Sequence, residues 1–452
     1  MFMIKVDKKK IIIIHMVLLG IFVVIYNCIW FNKSFTLSEG WTKFCVELIK
    51  EGKVPYKDFY YYLPPLGLIE DAILWKLSFG YFIVFRFWRL LQRVLVIELV
   101  YYLLIKRVEP TIALFGCMIT TLLLSANVYD LVGDYNQTQQ LLFVLMCWTL
   151  FKYADYTDAN NAKRYIWTFV AGAIGGLMFL QKQTGAVAGF VSYGLLLLIL
   201  CFIKYEKEVL KTIASIVGGV LVTVLPVFLY FIIKGGLNDY IYQVYKDTSS
   251  KGTPLDVLFF KLIETVRLNL PFLLICLIII LLDRYFSIYK VRALKTIYII
   301  IIAIYIKDFL NEYLNLFLNI QFINKKDFLY SLYQDANIFN WMPQILTFIF
   351  LGIIVWIIYH LIVSRGKYDI KAFVVAFSAF GAGYSTIMNN SESRVITISA
   401  ILLVPAGVYL AFRDVEIKKK GEKLLGIIPL VLFLIACVPQ KMICSYSWWG
   451  GQ

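Results

Sequence analysis

The chain has 452 residues, 61% of them hydrophobic, and a mean hydropathy of +0.76, which excludes an ordinary soluble domain. Its formal net charge of +15 falls in short clusters between apolar runs and in alternate loops, a topology signal that argues against a nucleic-acid partner. The eight cysteines form no CxxC pair and only Cys45 and Cys444 fall outside apolar runs, while the two histidines, His15 and His360, lie within or at the end of them, which argues against a histidine-rich zinc site and a Ser-His-Asp triad.

Apolar runs able to cross a hydrocarbon layer of about 30 Å as helices recur from end to end. The expected fold is therefore all-α, one polytopic membrane domain over residues 1 to 440 with about thirteen spans. The first run, 11 to 31, follows Lys8, Lys9 and Lys10 but precedes no small-residue cleavage site, so an uncleaved span is expected. The others are expected at 84 to 105, 109 to 127, 138 to 153, 165 to 181, 184 to 203, 212 to 233, 270 to 288, 296 to 310, 341 to 363, 372 to 388, 395 to 412 and 424 to 440. With the basic clusters cytoplasmic, the amino terminus lies inside and the carboxyl terminus outside. Three longer segments then face outward, 32 to 82, 234 to 269 and 311 to 340, too short for a separate soluble domain and rich in Tyr, Phe, Leu and Ile. Interfacial helices are expected there, including in the first outer loop. The tail from 441 to 452 carries Trp448 and Trp449, which suit aromatic anchoring at the outer surface.

Taken in chain order, the polar residues outside the basic clusters concentrate near the outer ends of the spans. LSEGW puts Glu39 just beyond the first span, and GKVPYKDFYYYLPPLG follows with Tyr56, Asp58 and Tyr62 as loop or pocket candidates. Pro64 and Pro65 disfavour helix there, and the tyrosines also suit a simple interfacial anchor. Arg86, Arg89 and Arg93 share one face at the outer end of the second span, where charge at membrane depth usually meets a protein interior or a wet cavity. Glu98 falls off that face and is expected to pack against another span. DLVGDYNQ brings Asp134 to the outer side, and GLMFLQKQTGAVAGF places Lys182 in a tight polar turn of the kind that can hold phosphate. Solvated loop acids and a structural lysine are the alternatives. Lys325, Lys326 and Tyr333 in the third outer segment suit a lid or an interfacial helix, and Glu392 with Arg394 either borders the pocket or caps two helices.

These residue types suit one reaction, the movement of a sugar from a lipid phosphate to a hydroxyl. A carboxylate takes the acceptor's proton, cations stabilise the departing phosphate, and no second, protonated carboxyl group is needed because phosphate leaves without a proton.

The ordered series LSEGW, GKVPYKDFYYYLPPLG, FGYFIVFRFWRLLQR, GDYNQ and GLMFLQKQTG, over about the first 200 residues, resembles the C-type integral-membrane glycosyltransferases, including protein mannosyltransferases and the aminoarabinose transferase of lipid A. The resemblance implies a polyprenyl-phosphate sugar donor, inverting transfer on the outer face of a prokaryotic plasma membrane, and a lipid, glycan or protein acceptor. By position it implies Glu39 as general base or its partner, Asp134 as the second acid, Arg89, Arg93 and Lys182 at the donor phosphate, and Asp58 orienting the loop. Ser38 stands where many relatives have an Asp before the Glu, one carboxylate fewer. The sequence points to no definite cofactor and leaves metal use open, with Glu39 and Asp134 as oxygen donors for a possible Mg or Mn ion. Two other readings remain open at this point: a flippase for lipid-linked glycans, and a relative without catalysis.

Overall fold

The computed structural model describes residues 8–28, 37–81, 83–124, 136–156, 162–203, 205, 207–247, 338–363, 368–387 and 396–413. Among these residues the regular secondary structure is helical, without a strand. The apolar run behind the amino-terminal lysines forms α1 (Lys8–Cys28). The segment expected as the first outer loop folds into two short helices, α2 (Leu37–Lys50) and α3 (Leu66–Leu77), with the aromatic stretch between them. At 14 and 12 residues they reach only about 20 Å, too short to span, and they fit the expected interfacial helices.

Local chemistry sets their ends. α2 stops in a Schellman turn: Gly52 takes φ +85°, its N–H reaches Ile49 O at 2.9 Å, and Lys53 N–H reaches Leu48 O at 3.0 Å. α3 starts directly after the two prolines, with Pro65 as its N-cap, where a missing N–H costs nothing.

The remaining helices follow the expected spans to within a few residues: α4 (Ile83–Leu104), α5 (Pro110–Leu124), α6 (Asn136–Tyr153), α7 (Ala162–Gln181), α8 (Gln183–Phe202), α9 (Val209–Lys234), α11 (Ile338–Val363), α12 (Ile370–Ile387) and α13 (Ile396–Phe412). Between α9 and α11 the second outer segment begins with α10 (Leu237–Ile241), continued by a π-helical turn, Tyr242–Asp247. The expected spans at 270 to 288, 296 to 310 and 424 to 440, the third outer segment up to residue 337, and the tail lie outside the described residues. Among the described residues α1, α8 and α9 are long and apolar enough to cross a membrane unaided, while α5, α11, α12 and α13 offer shorter apolar stretches.

One core runs through the bundle, with Leu19 of α1, Tyr101 of α4, Phe143 of α6, Met178 of α7, Leu200 of α8 and Ile401 of α13 all buried. α7 and α9 approach to backbone contact: a Cβ at Gly172 would meet Ile216 O at 2.1 Å, and one at Gly219 would meet Phe169 O at 2.0 Å. Both histidines pack as helix residues. His15 Nδ1 shares a hydrogen bond with Tyr101 OH at 2.9 Å, and His360 stacks on Trp356. Glu98 lies against α1, its Oε1 3.2 Å from where a Cβ on Gly20 would sit, as expected for a residue off the arginine face.

The two ends of the bundle differ in chemistry. At one end Asp369 pairs with Arg413 at 3.1 Å and Arg107 at 3.7 Å, Asp155 pairs with Lys371, and Arg164 lies between the rings of Tyr153 and Tyr205. These are the basic clusters that the alternate loops bring together. The other end collects α2, α3, the starts of α4, α6 and α8, and the end of α9.

Candidate functional site

At that second end an acidic pair on α3 ties together three other helices. α3 presents Glu70 and Asp71 toward α4, whose arginine face is buried, Arg89 being only 1% exposed. Glu70 Oε2 accepts from Arg89 Nη1 at 2.8 Å and from Thr138 Oγ1 of α6 at 2.7 Å. Its Oε1 accepts from Trp88 Nε1 at 2.7 Å and Gln92 Nε2 at 2.8 Å. Asp71 Oδ1 takes Arg89 Nη2 at 2.9 Å, and its Oδ2 takes Lys43 Nζ of α2 at 2.8 Å. Lys43 also lies over the Phe85 ring, 3.5 Å from its centroid. Burial works to raise the Glu70 carboxyl, but the Arg89 guanidinium and the hydrogen bonds from Trp88, Thr138 and Arg89 hold it below the ordinary carboxylate value.

The other cations sit nearby on adjoining elements. Arg93, one turn along α4, donates from Nη1 to Asn27 Oδ1 of α1 at 2.5 Å. Arg86, one turn earlier, is buried. Lys182 is the single non-helical residue between α7 and α8, in an extended conformation as the N-cap of α8, and its Nζ donates to Asn136 Oδ1 at 3.3 Å. Asn136 opens α6 with the run Asn136, Gln137, Thr138, Gln139, Gln140, all buried. Two helix amino termini, α6 and α8, therefore meet beside a lysine. Their partial positive charge and Lys182 make this a favourable place for an anion.

The aromatic stretch forms the adjoining wall and is latched to the second outer segment. Gln243 Nε2 donates to Tyr56 O at 2.7 Å, while its Oε1 accepts from Tyr61 N at 2.9 Å. Lys57 Nζ donates to Lys234 O at 3.0 Å, and Tyr60 OH donates to Asp247. That bond to Asp247 pushes the Tyr60 phenol up to about 12. Tyr56 is buried among Tyr61, Phe231 and Tyr240 with φ +68°, and its hydroxyl donates to Leu63 O at 2.7 Å. Tyr62 lies more exposed, stacked on Trp41 with ring centroids 5.0 Å apart. Asp58 closes a tight exposed turn, its Oδ2 accepting from Val54 N at 2.6 Å. Cys45 is buried in α2, and burial pushes its thiol up to about 11.

Of the residues singled out from sequence, Arg89, Arg93 and Lys182 gather at this end, with Tyr56, Asp58 and Tyr62 in its wall. Glu39 lies in the first turn of α2, but its side chain is outside the described residues, as are Asp134, Lys325, Lys326, Tyr333, Glu392 and Arg394. Sequence reasoning missed Glu70, Asp71, Lys43, Gln92 and Thr138. The available signal was two adjacent acids in an otherwise apolar stretch, LGLIEDAILW, within reach of the arginine face. Glu70 and Asp71 do not suit a divalent cation, since their oxygens are taken by Arg89, Lys43 and neutral donors. Among the described residues no group of three His, Cys, Asp or Glu side chains gathers to hold a metal.

No protein-family profile matches the chain, and no curated protein matches it in sequence. Solved structures do. The Archaeoglobus fulgidus oligosaccharyltransferase, in complex with an inhibitory peptide and a dolichol-phosphate, aligns with TM-score 0.53 and 14% identity over 97% of this chain and 56% of its own. The same enzyme in complex with zinc and sulfate aligns with TM-score 0.51 and 13% identity over 96% of this chain and 53% of its own. ArnT from Cupriavidus metallidurans, bound to undecaprenyl phosphate, aligns at 0.46 and 13% identity over 86% of this chain and 77% of its own. The chain thus spans little more than half the length of the archaeal enzyme, matching it in the path of the helices and hardly in sequence. The fold of this chain is thus shared with the archaeal oligosaccharyltransferase over nearly the whole of this chain.

Proposed function

We propose that the chain is a membrane glycosyltransferase that moves a sugar from a polyprenyl-phosphate donor to a hydroxyl acceptor on the outer face of a prokaryotic plasma membrane, in cell-envelope or surface-glycan assembly. The observation that carries this reading is the meeting of Lys182 with the amino termini of α6 and α8, beside the buried arginine face of α4. It lies at the end of the bundle where the segments bearing Glu39 and Asp134 join their helices. Support for a lipid-phosphate donor comes from the archaeal neighbour's complex with a dolichol-phosphate and for an acceptor from its inhibitory peptide.

In this mechanism the donor phosphate rests against Lys182 and the two helix termini, which stabilise the charge that develops as the sugar–phosphate bond breaks. Glu39 takes the acceptor hydroxyl's proton, with Asp134 as the second acid. Attack from the face opposite the phosphate inverts the anomeric centre, and the phosphate departs without needing a proton. Arg89 is neutralised by Glu70 and Asp71 and holds α4 against α3, while Arg93 adds positive charge from the next turn. Asp58, Tyr56 and Tyr62 shape the wall. Oxygen ligation of Mg or Mn by Glu39 and Asp134 is a separate question, answered by whether transfer survives a strong chelator. The amino terminus is cytoplasmic and the carboxyl terminus outside. The acceptor is a lipid, a glycan or a protein.

Vesicles containing the purified protein and radiolabelled polyprenyl-phosphate sugars test the reading. Release of polyprenyl phosphate with sugar on an acceptor, abolished in Glu39→Gln or Asp134→Asn, is the expected result. Intact donors with labelled lipid changing leaflet would mean a flippase. Transfer unaffected by either substitution would remove the acidic centre from the mechanism.

A further inference from the structure

We propose that Glu70 and Asp71 are positioning residues that hold α2, the helix bearing Glu39, in register with the start of α6, an inference that rests on the transferase reading above. The argument lies in where their partners sit. Asp71 binds Lys43 at 2.8 Å, and Lys43 is four residues after Glu39 on the same helix, α2. Glu70 binds Thr138 at 2.7 Å, and Thr138 is in the first turn of α6, four residues after Asp134 in sequence. Arg89 joins both halves, since Nη1 reaches Glu70 and Thr138 while Nη2 reaches Asp71. One guanidinium and two adjacent carboxylates therefore link the middle of α2, four residues beyond Glu39, to the start of α6.

Mere attachment of α3 to the bundle would need no such reach. α3 already buries Leu68 in the aromatic cluster, and Trp88 and Gln92 of α4 suffice to satisfy one carboxylate oxygen. The bonds to Lys43 and Thr138 go further, to α2 and α6, and join the elements that α3 touches. All four carboxylate oxygens are occupied, so neither acid is free to take a substrate proton. The pair instead sets the spacing between α2, which bears the proposed base Glu39, and the start of α6, where the donor phosphate is proposed to rest. Displacement by about 1 Å in such a constellation costs on the order of 100-fold in rate.

The test uses the full-length protein in vesicles. Glu70→Gln removes the charge and weakens the grip on Arg89 and Thr138. The expected result is a kcat lower by about 10- to 100-fold with the donor KM within about twofold, partial recovery in Glu70→Asp, and an unmoved pH for half-maximal kcat, because Glu70 touches no reacting atom. Hydrogen exchange measured on the same variant reads the geometry independently of activity, with faster exchange expected in peptides covering residues 40 to 50 and 136 to 150 and unchanged exchange in α12. A pH profile that loses a limb in Glu70→Gln would make Glu70 an acid or base and overturn the proposal. So would an unchanged kcat, or exchange that loosens in only one of the two segments. Should the wild-type protein transfer no sugar at all, the transferase reading fails, and the exchange experiment alone still decides whether the pair couples the two segments.

Discussion

Arg89 illustrates why single residues at this end are intolerant of change. Its planar fork meets two carboxylates at 2.8 and 2.9 Å in a nearly water-free setting, where breaking a buried pair costs about 3–5 kcal/mol. Arg89→Ala is expected to lower the melting temperature of the detergent-solubilised protein by several degrees, and Arg89→Lys by less, since an ammonium keeps the charge and one of the two pairings. Glu70 also sets a pH dependence. Its folded carboxyl lies below the ordinary value of 4.5, so its stabilisation is fully present above that pH and is lost as the pH falls through the folded value. Thermal melts from pH 7 downward should therefore fall more steeply below about 4.5 in the wild type than in Glu70→Gln. Parallel curves would count against the assignment. Tyr56 is costly in another way: at φ +68° a tyrosine carries strain of about 1–2 kcal/mol, held by the aromatic cluster and by Gln243 on its carbonyl. Tyr56→Phe leaves Leu63 O without its donor and should destabilise by about 1 kcal/mol.

At the scale of elements, two contacts decide how the helices meet. α7 and α9 touch through glycines, and any side chain at Gly172 or Gly219 would drive a Cβ to 2.1 or 2.0 Å from a backbone oxygen of the other helix. Gly172→Leu is expected to push the pair apart and to lower the yield of folded, monodisperse protein in size-exclusion chromatography, whereas Gly194→Leu, where a Cβ meets nothing within 4 Å, should be tolerated. The second contact is the latch between the aromatic stretch and the π-helical turn. Gln243 serves both Tyr56 and Tyr61, so Gln243→Ala removes two backbone bonds at once. Proteolysis in the 51 to 62 stretch should become faster in that variant, and an unchanged cleavage rate would mean that the stacked aromatics hold the loop alone.

For the whole molecule, the segregation of chemistry to the two ends of the bundle makes topology testable. Lys57, in the aromatic stretch, and Asp239, on α10, lie at the end of α9 that carries Lys234, while Lys211 lies about 35 Å away near its start. In a Cys28→Ser, Cys444→Ser background, cysteines at 57 and 239 should react with a membrane-impermeant maleimide from the outside of intact cells, and one at 211 only after permeabilisation. Labelling of 57 and 211 from the same side would overturn the shared-end arrangement.

Hydropathy and the distribution of lysine and arginine were enough to determine an all-helical membrane bundle and most helix limits, because crossing lipid demands long apolar runs and those runs are visible one residue at a time. The basic clusters were legible for the same reason. Glu39, Asp58 and Lys182 stood out because each interrupts an apolar context or sits in a polar turn. Only the tertiary structure decided which charges meet. Glu70 and Asp71 are a short step from Arg89 in sequence, but Lys43 and Thr138 lie 28 and 68 residues from their acidic partners, on helices whose relative placement no local pattern specifies. Likewise the coupling of the aromatic stretch to Gln243 spans more than 180 residues, and the left-handed Tyr56 is held by neighbours drawn from both segments. Pairing at such separations follows from how helices pack, and packing is a property of the surfaces they present together.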